Sequence, residues 1–393
     1  MSYMESKAER FLESWVKDSY KDSCPFHIHI SHWDLDGYGC FIALDSAIMV
    51  YHEYVELPDW GIQAIAQTPD KVDGVLGAAL EKFAKEYASL DPKNYPIRVL
   101  VTDLAPDPAV FQHYIDKGYR IEWCVIDHHQ NHHHHDGKTD LIGNNVYLID
   151  PSASATYHVG NILLNSQRRS TRGLDYEYMD RLREFIHRVS RYDTGNWGEW
   201  NDDFDSIEDS VLEQLAFGYA VREAKAGDEE IMAEYQSKRM HALVDGVDIR
   251  GIWTSRLMDE WKMLKEEYQQ FLDRLIDMST KIEIPCFQIP MLQSNGAIFS
   301  RNIRMPALKV KGIITRKDEP AFKHFSLISR EVLEEYDPSI DILVYVNLAR
   351  GSVELRSAKY NIDVSQIAFA NGGGGHPRAA GFPLEGVIPW GSC

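Results

Sequence analysis

Phe26-His27-Ile28-His29-Ile30-Ser31-His32-Trp33-Asp34-Leu35-Asp36-Gly37 is an apolar run that ends in two carboxylates and a glycine. A run of this kind reads as a largely buried strand, and a helix-like segment opens at Gly37. Three more such runs follow: Ile97–Leu104, Arg120–Asp127 and Val146–Asp150. Between them, Asp70–Leu90 and Pro108–Lys117 have helical spacing. Strand and helix alternating in this way predict an α/β fold built on a parallel sheet. Ligands of such sheets gather beyond the carboxyl ends of the strands, which is where the unusual polar residues of this chain lie.

From Ser152 to about Lys281 the pattern is mostly helical, with long periodic stretches at Glu213–Ala226, Glu229–Val244 and Trp253–Met278. Short strands return at Ile282–Ile289, Asp341–Asn347 and Ser352–Arg356, with helices expected at Ser326–Tyr336 and Asp363–Ala370. A length of 393 residues with 44% hydrophobic side chains suffices for at least two cores, because single cores stop growing at roughly 250–300 residues. The expected organisation is a parallel-sheet domain over residues 1–200, a helical completion and connector over 201–281, and a smaller α/β domain over 282–393.

The amino-terminal stretch lacks the basic start, apolar run and cleavage site of a secretory signal. The apolar segment Phe41–Val50 is broken by Asp45 and is too short to cross a bilayer. Cytoplasmic residence without membrane attachment is the expectation. The five cysteines, Cys24, Cys40, Cys124, Cys286 and Cys393, form no C-x-x-C pair and suggest neither a disulfide framework nor a thiolate zinc site. With 60 acidic and 41 basic residues the formal charge is −19, which opposes the counterion-release binding used on long nucleic acids. Attraction for an anionic substrate must then be local, supplied by metal ions and a few cationic side chains.

Asp34 and Asp36 project to the same side of an extended backbone. Adjacent carboxylates repel, a cost that divalent cations between them would remove; D-x-D-G is also a common turn. Asp103 closes the run ending Val101-Thr102-Asp103, and Asp127-His128-His129 closes the run that starts at Arg120. An acid and two histidines at the end of a buried strand need partners. Asp193, in Ser190-Arg191-Tyr192-Asp193-Thr194-Gly195, follows a helical pattern. With His32, these residues offer oxygen and imidazole donors suited to Mn²⁺ or Mg²⁺, and a two-metal site is the economical reading. Near the carboxyl end, Asn371-Gly372-Gly373-Gly374-Gly375-His376-Pro377-Arg378-Ala379-Ala380-Gly381 either forms a flexible hinge or brings backbone amides up to an anion, and Arg356 offers a bidentate phosphate fork.

In order, SHWDLDG, VTDLAPD, IDHH, SRYDTG and ELRS…DVSQIA…GGGGHPRAAG resemble the DHH phosphoesterases that carry a DHH-associated carboxy-terminal domain. The resemblance runs from about residue 26 to residue 383 and leaves the middle helical region without motifs. It implies one Mn²⁺ on Asp34 and Asp103 and a second on Asp36, Asp103, His128 and Asp193, with Asp103 bridging and Mg²⁺ or Co²⁺ as possible substitutes. His129 is implied near the scissile phosphate and Asp127 as the group orienting the neighbouring imidazoles. Arg356, Ser357, Gly373, Gly374, Gly375, His376 and Arg378 are implied to hold a second phosphate or the terminal nucleotide. One departure stands out. Several branches have a histidine four residues before the first aspartate, where this chain has Ile30; His32 lies two residues before it instead, and either ligates or touches substrate.

The implied chemistry is in-line attack by water on phosphorus. Size, domain plan and the S-H-x-D-L-D-G form look most like the nano-RNases, which cut oligoribonucleotides a few nucleotides long, with the protein a monomer or homodimer. Cyclic dinucleotides and 3′-phosphoadenosine 5′-phosphate are the alternative substrates. A catalytically silent nucleotide-binding protein is the non-enzyme alternative.

Overall fold

In the computed structural model the opening stretch forms strand β1 (Phe26–His32) and leads through Trp33 and Asp34 into a helix that starts at Leu35. The structure describes residues 3–18, 26–52, 61–66, 71–86, 96–129, 141–142, 145–169, 175–194, 209–228, 230–247, 255–263, 265–266, 280–284, 289–292, 298–301, 308–315, 329, 333, 337–359 and 361–384. These divide into two compact units, Met1–Leu257 and Met258–Cys393.

In the first unit, helix α1 (Tyr3–Asp18) precedes β1, and α2 (Leu35–Tyr51) follows it. Then come β2 (Gly61–Ala66), α3 (Val72–Glu86), β3 (Ile97–Thr102), α4 (Pro108–Asp116), β4 (Ile121–Asp127), β5 (Leu141–Ile142) and β6 (Asn145–Ile149). Helices α5 (Ala155–Arg169), α6 (Tyr176–Asp193), α7 (Asp209–Lys225) and α8 (Ile231–Asp245) complete it. The sheet order is β2-β1-β3-β4-β6-β5. The first four pairings are parallel, and only the edge strand β5 runs antiparallel. This is the α/β architecture expected from the strand–helix alternation. Strands β2 and β5 and helix α1 are additions to the elements read from the sequence.

The two faces of the sheet differ in chemistry. Ile28, Ile30, Val99, Val101, Trp123, Val125 and Tyr147 share one buried cluster with Leu76, Leu80 and Phe83 of α3 and Phe111 and Tyr114 of α4. Alternation sends His27 and His29 to the opposite face, where Trp15 of α1 lies 4.3 Å from the His27 ring and Phe41 of α2 4.3 Å from the His29 ring. Helix α2 is buried along its length from Leu35 to Met49. A helix apolar all round belongs inside a core, and α2 packs against β1 and against α1, α5, α6, α7 and α8. That packing fixes its first turn, which carries Asp34 and Asp36, against the end of β1.

Burial holds His27 and His29 neutral, pulling each down from 6.5 to about 3, with Arg98 adding to the effect at His27. The unfolded chain therefore takes up these protons first as pH falls, so stability should drain away between about pH 6.5 and 3. By pH 5 the loss is about 2 kcal/mol for each ring. Denaturant melts at pH 7 and pH 5 check this. A variant with His27→Phe and His29→Gln should lose correspondingly less stability over that interval, and an unchanged pH dependence would contradict the account.

In the second unit, β7 (Thr280–Ile284) and β8 (Ile289–Leu292) stand where the sequence suggested one strand over Ile282–Ile289. Strand β8 pairs with β9 (Ile298–Arg301) in a small sheet of its own. The main sheet, in order β13-β14-β12-β11-β10-β7, also contains β10 (Leu308–Thr315), β11 (Ile342–Asn347) and β12 (Ser352–Arg356). Strands β13 (Gly374–His376) and β14 (Ala379–Pro383) close it at one edge. Helix α9 (Val364–Ala370) starts at Asp363, whose carboxylate accepts from the Ser365 amide at 3.0 Å, and it buries Val364 and Ala368 against this sheet. Most of the helix expected over Ser326–Tyr336 lies outside the described residues, as does the His132–His135 run. Among the described residues no helix is long and apolar enough to cross a membrane.

Candidate metal centre

Every acidic or imidazole residue singled out in the first unit stands at the carboxyl end of a sheet strand, or at a helix end nearby. His32 closes β1, and Asp34 caps α2, accepting from the Gly37 amide at 2.9 Å. The His32 Nδ1 atom lies 2.6 Å from Asp34 Oδ2 and 3.6 Å from Asp103 Oδ2. Ile30, which fills the position of the expected family histidine, is fully buried in the sheet cluster. It is the ring two residues later that reaches the acids.

Asp36, in the first turn of α2, is nearly fully buried. Its two oxygens accept from the amides of Ala155 and Thr156 at 2.8 and 2.9 Å, so the carboxylate sits on the amino terminus of α5, a favourable place for negative charge. The Thr156 hydroxyl donates back to the Asp36 carbonyl. No sequence signal pointed to Thr156, because its part in the site is played mainly by backbone.

Asp103 follows β3 with no exposed surface and φ of +59°; it is the only non-glycine residue at positive φ among the described residues. Aspartate tolerates this left-handed conformation better than most side chains, and the Asp103 amide donates to the Ile126 carbonyl at 2.9 Å. His128 lies among three carboxylates. Its Nε2 is 3.1 Å from Asp103 Oδ1 and 3.5 Å from Asp36 Oδ2, and its Nδ1 is 3.7 Å from Asp193 Oδ2. Asp127 Oδ1 accepts from the His128 amide at 2.8 Å and lies 2.9 Å from His129 Nδ1.

Donor atoms thus gather in overlapping sets. His32, Asp34 and Asp103 form one, Asp36, His128 and Asp193 a second, and Asp103, Asp127, His128 and His129 a third, the atoms of each lying within 4.8 Å of one another. Burial and the neighbouring charges of Asp34 and Asp36 push the Asp103 carboxyl well above its usual range. Burial works against charge on His32, yet the Asp34 and Asp103 carboxylates outweigh it and push the ring up to about 11. Burial likewise opposes charge on Asp34, but the His32 ring and the Gly37 amide hold that carboxyl below its usual range. His128 is raised in the same way, Asp193 and Asp36 overcoming its burial.

The donors fit a divalent cation. Asp103 Oδ2 is buried and accepts no hydrogen bond among the described residues. The ion-pair partners of Asp34, Asp36 and Asp103 among the described residues are all imidazoles. Oxygen and imidazole donors without thiolate suit Mn²⁺ or Mg²⁺.

In the second unit, Arg356 ends β12 and Ser357 follows it, while Gly373 leads into the adjoining β13–β14 hairpin that contains Gly374, Gly375, His376 and Arg378. The Ser357 amide donates to the Arg378 carbonyl at 3.0 Å. The Arg356 guanidinium is held by the Leu355 carbonyl at 2.9 Å and Glu354 at 3.2 Å. A Cβ at Gly373 would stand 2.1 Å from the Gly381 carbonyl oxygen, and one at Gly375, where φ is +131°, 2.6 Å from that of Ala379. These two glycines are required first by the close approach of β14.

No family model matches the chain, and no curated protein matches it. Solved structures do. The DHH domain of a member of the s1p family of ribosomal proteins aligns at TM-score 0.58 and 14% identity, over 97% of this chain and 86% of that one. RecJ in complex with Mn²⁺ from Thermus thermophilus aligns at TM-score 0.46 and 12% identity, over 96% of this chain and 52% of that one. A pGpG-specific phosphodiesterase from Vibrio cholerae aligns at TM-score 0.42 and 12% identity, over 91% and 92%. The first of these alignments establishes the fold: this chain has the α/β fold of a DHH domain.

Proposed function

We propose that this chain is a DHH-family, two-metal phosphodiesterase that uses Mn²⁺ to hydrolyse short oligoribonucleotides and dinucleotides to mononucleotides. The observation that carries the reading is Asp103: a fully buried carboxylate, with one oxygen lacking a hydrogen bond among the described residues, shared between the donors around His32 and those around His128. Buried acids this crowded are costly unless cations pair them.

In this reading His32, Asp34 and Asp103 hold one ion, and Asp36, Asp103, His128 and Asp193 hold the other. When bound, a pair of such ions acidifies water and neutralises charge growing on phosphoryl oxygens. The chain supplies the arrangement. Asp36 is fixed by two amides before any ion arrives, so its geometry needs no reorganisation on binding. Asp127 anchors His129 through Nδ1 and would stabilise an imidazolium there; His129 is the group assigned to the charge on the scissile phosphate. In the second unit, Arg356, Ser357, Gly373, Gly374, Gly375, His376 and Arg378 are assigned to the terminal phosphate or nucleotide. The charge of −19 supports a preference for short substrates over long strands.

The test is a product analysis by mass. Purified protein with Mn²⁺ is offered RNA of about 2 to 25 nucleotides, a matching DNA series, cyclic dinucleotides and 3′-phosphoadenosine 5′-phosphate, the short lengths being those a compact two-metal site can enclose. Mononucleotides released fastest from the shortest RNAs support the proposal. Turnover confined to one of the other substrates moves the assignment there, and no turnover with any of them leaves a binding protein.

A further inference from the structure

The β1–β3 ladder stops short of the residues that matter most. Its last paired residues are Ile30 and Val101, so backbone pairing does not hold Ser31 to Thr102, immediately before His32 and Asp103. Side chains take over at that point. Ser31 Oγ donates to the Thr102 carbonyl at 3.0 Å, and Thr102 Oγ1 donates to Ser31 Oγ at 2.8 Å. Each hydroxyl has one proton, so the 3.0 Å contact between His29 Nε2 and Thr102 Oγ1 must be donated by the ring. The chain of bonds therefore has one direction, from His29 Nε2–H through Thr102 and Ser31 to the Thr102 carbonyl. The other ring nitrogen, Nδ1, has no hydrogen bond among the described residues, and the imidazole packs beside the rings of Phe41 and Trp15. Burial keeps the imidazole neutral. His29, Ser31 and Thr102 are all buried.

We propose that His29, Ser31 and Thr102 are positioning residues for the metal centre: a one-way hydrogen-bond clamp that joins β1 to β3 where their ladder ends and so fixes His32 and the left-handed Asp103 for cation binding. The proposal rests on the two-metal reading. Without the clamp, Asp103 at φ +59° could relax toward ordinary backbone geometry, and its carboxylate would leave the position shared by the two donor sets.

The test is Mn²⁺ titration of the full-length chain by calorimetry, with thermal melts of the metal-free protein alongside. Thr102→Val keeps the shape and deletes the hydroxyl, and should weaken Mn²⁺ binding about 10–100-fold, as loss of groups that orient ligands does. Thr102→Ser should bring the affinity back to near the wild-type value. Ser31→Ala, a smaller change at the same junction, should weaken binding in the same sense and carries the test if Thr102→Val does not fold. Combining His29→Phe with Thr102→Val removes the donor left without an acceptor. The melting temperature should then recover while the Mn²⁺ affinity stays low. Wild-type affinity in Thr102→Val or Ser31→Ala would overturn the proposal, and so would an affinity that recovers together with the melting temperature in the double variant. A wild-type chain that takes up no Mn²⁺ overturns the two-metal reading itself, and the clamp proposal falls with it.

Discussion

Asp103→Asn is expected to abolish turnover and, in the same protein, to raise the melting temperature of the metal-free form. On the two-metal reading proposed above, the loss of activity follows from the loss of a negative donor shared by both ions. Two-metal sites draw several kcal/mol of transition-state stabilisation from their ions, so a fall of roughly 10³-fold or more is expected, equivalent to about 4 kcal/mol. The gain in stability follows from what Asp103 costs when no metal ion pairs it, a cost that the His32 ring 3.6 Å away opposes without removing. Burial and the charges of Asp34 and Asp36 raise its carboxyl well above the usual range. An acid whose folded pKa exceeds its unfolded value makes the fold lose stability as pH rises through that interval, and the loss is complete once pH passes the folded value. Asparagine has no charge to lose and tolerates the positive φ. The gain is on the order of 1–3 kcal/mol, the scale set by one unsatisfied buried polar group. Melts with and without Mn²⁺ separate the effects: the variant should start higher and gain less from metal. A variant that melts lower than wild type when metal-free, or keeps its Mn²⁺-dependent activity, would contradict this account of Asp103.

Gly37→Ala is expected to damage fold and site together, although it adds one methyl group at a helix start. A Cβ there would stand 2.2 Å from the His32 carbonyl oxygen and 2.8 Å from the His32 carbonyl carbon and amide nitrogen. All three are backbone atoms, so no rotamer change relieves the clash. Either the first turn of α2 moves off the end of β1 or His32 does, and both carry donors. Helix α2 is packed on several sides, which makes either movement costly. A destabilisation of about 3 kcal/mol or more is expected, lowering the melting temperature by roughly 6–12 °C in a unit of this size, with weakened Mn²⁺ affinity. Calorimetric melting and metal titration check it; wild-type values in both would show that the close approach is not required.

Much of the first unit is legible in its strands because β1, β3, β4 and β6 are buried on both faces and so appear as unbroken apolar runs. The carboxyl ends of those runs are where ligand-bearing residues collect, and that rule singles out Asp103, Asp127 and His128 from the sequence alone. What escaped is explained by chemistry. The β2 sequence, Gly-Ile-Gln-Ala-Ile-Ala, has too few branched residues to stand out. In β10, Lys309, Lys311 and Gly312 interrupt the apolar pattern. The short β13–β14 hairpin is built from glycine and alanine, whose sequence signal is that of a loop. The positive φ of Asp103 and the two amides on Asp36 are backbone features, and a list of side chains does not contain them. His29, Ser31 and Thr102 stand as polar residues inside largely apolar strands, and the hydrogen bonds that join them are visible only in the structure.

The most direct measurement is the anomalous scattering of a crystal grown with Mn²⁺, recorded at the manganese edge. Two peaks roughly 3.5–4 Å apart are predicted, both within bonding distance of the Asp103 carboxylate, one also near His32 and Asp34 and the other near Asp36, His128 and Asp193. No manganese at this cluster, or ions bound there without Asp103, would contradict the account.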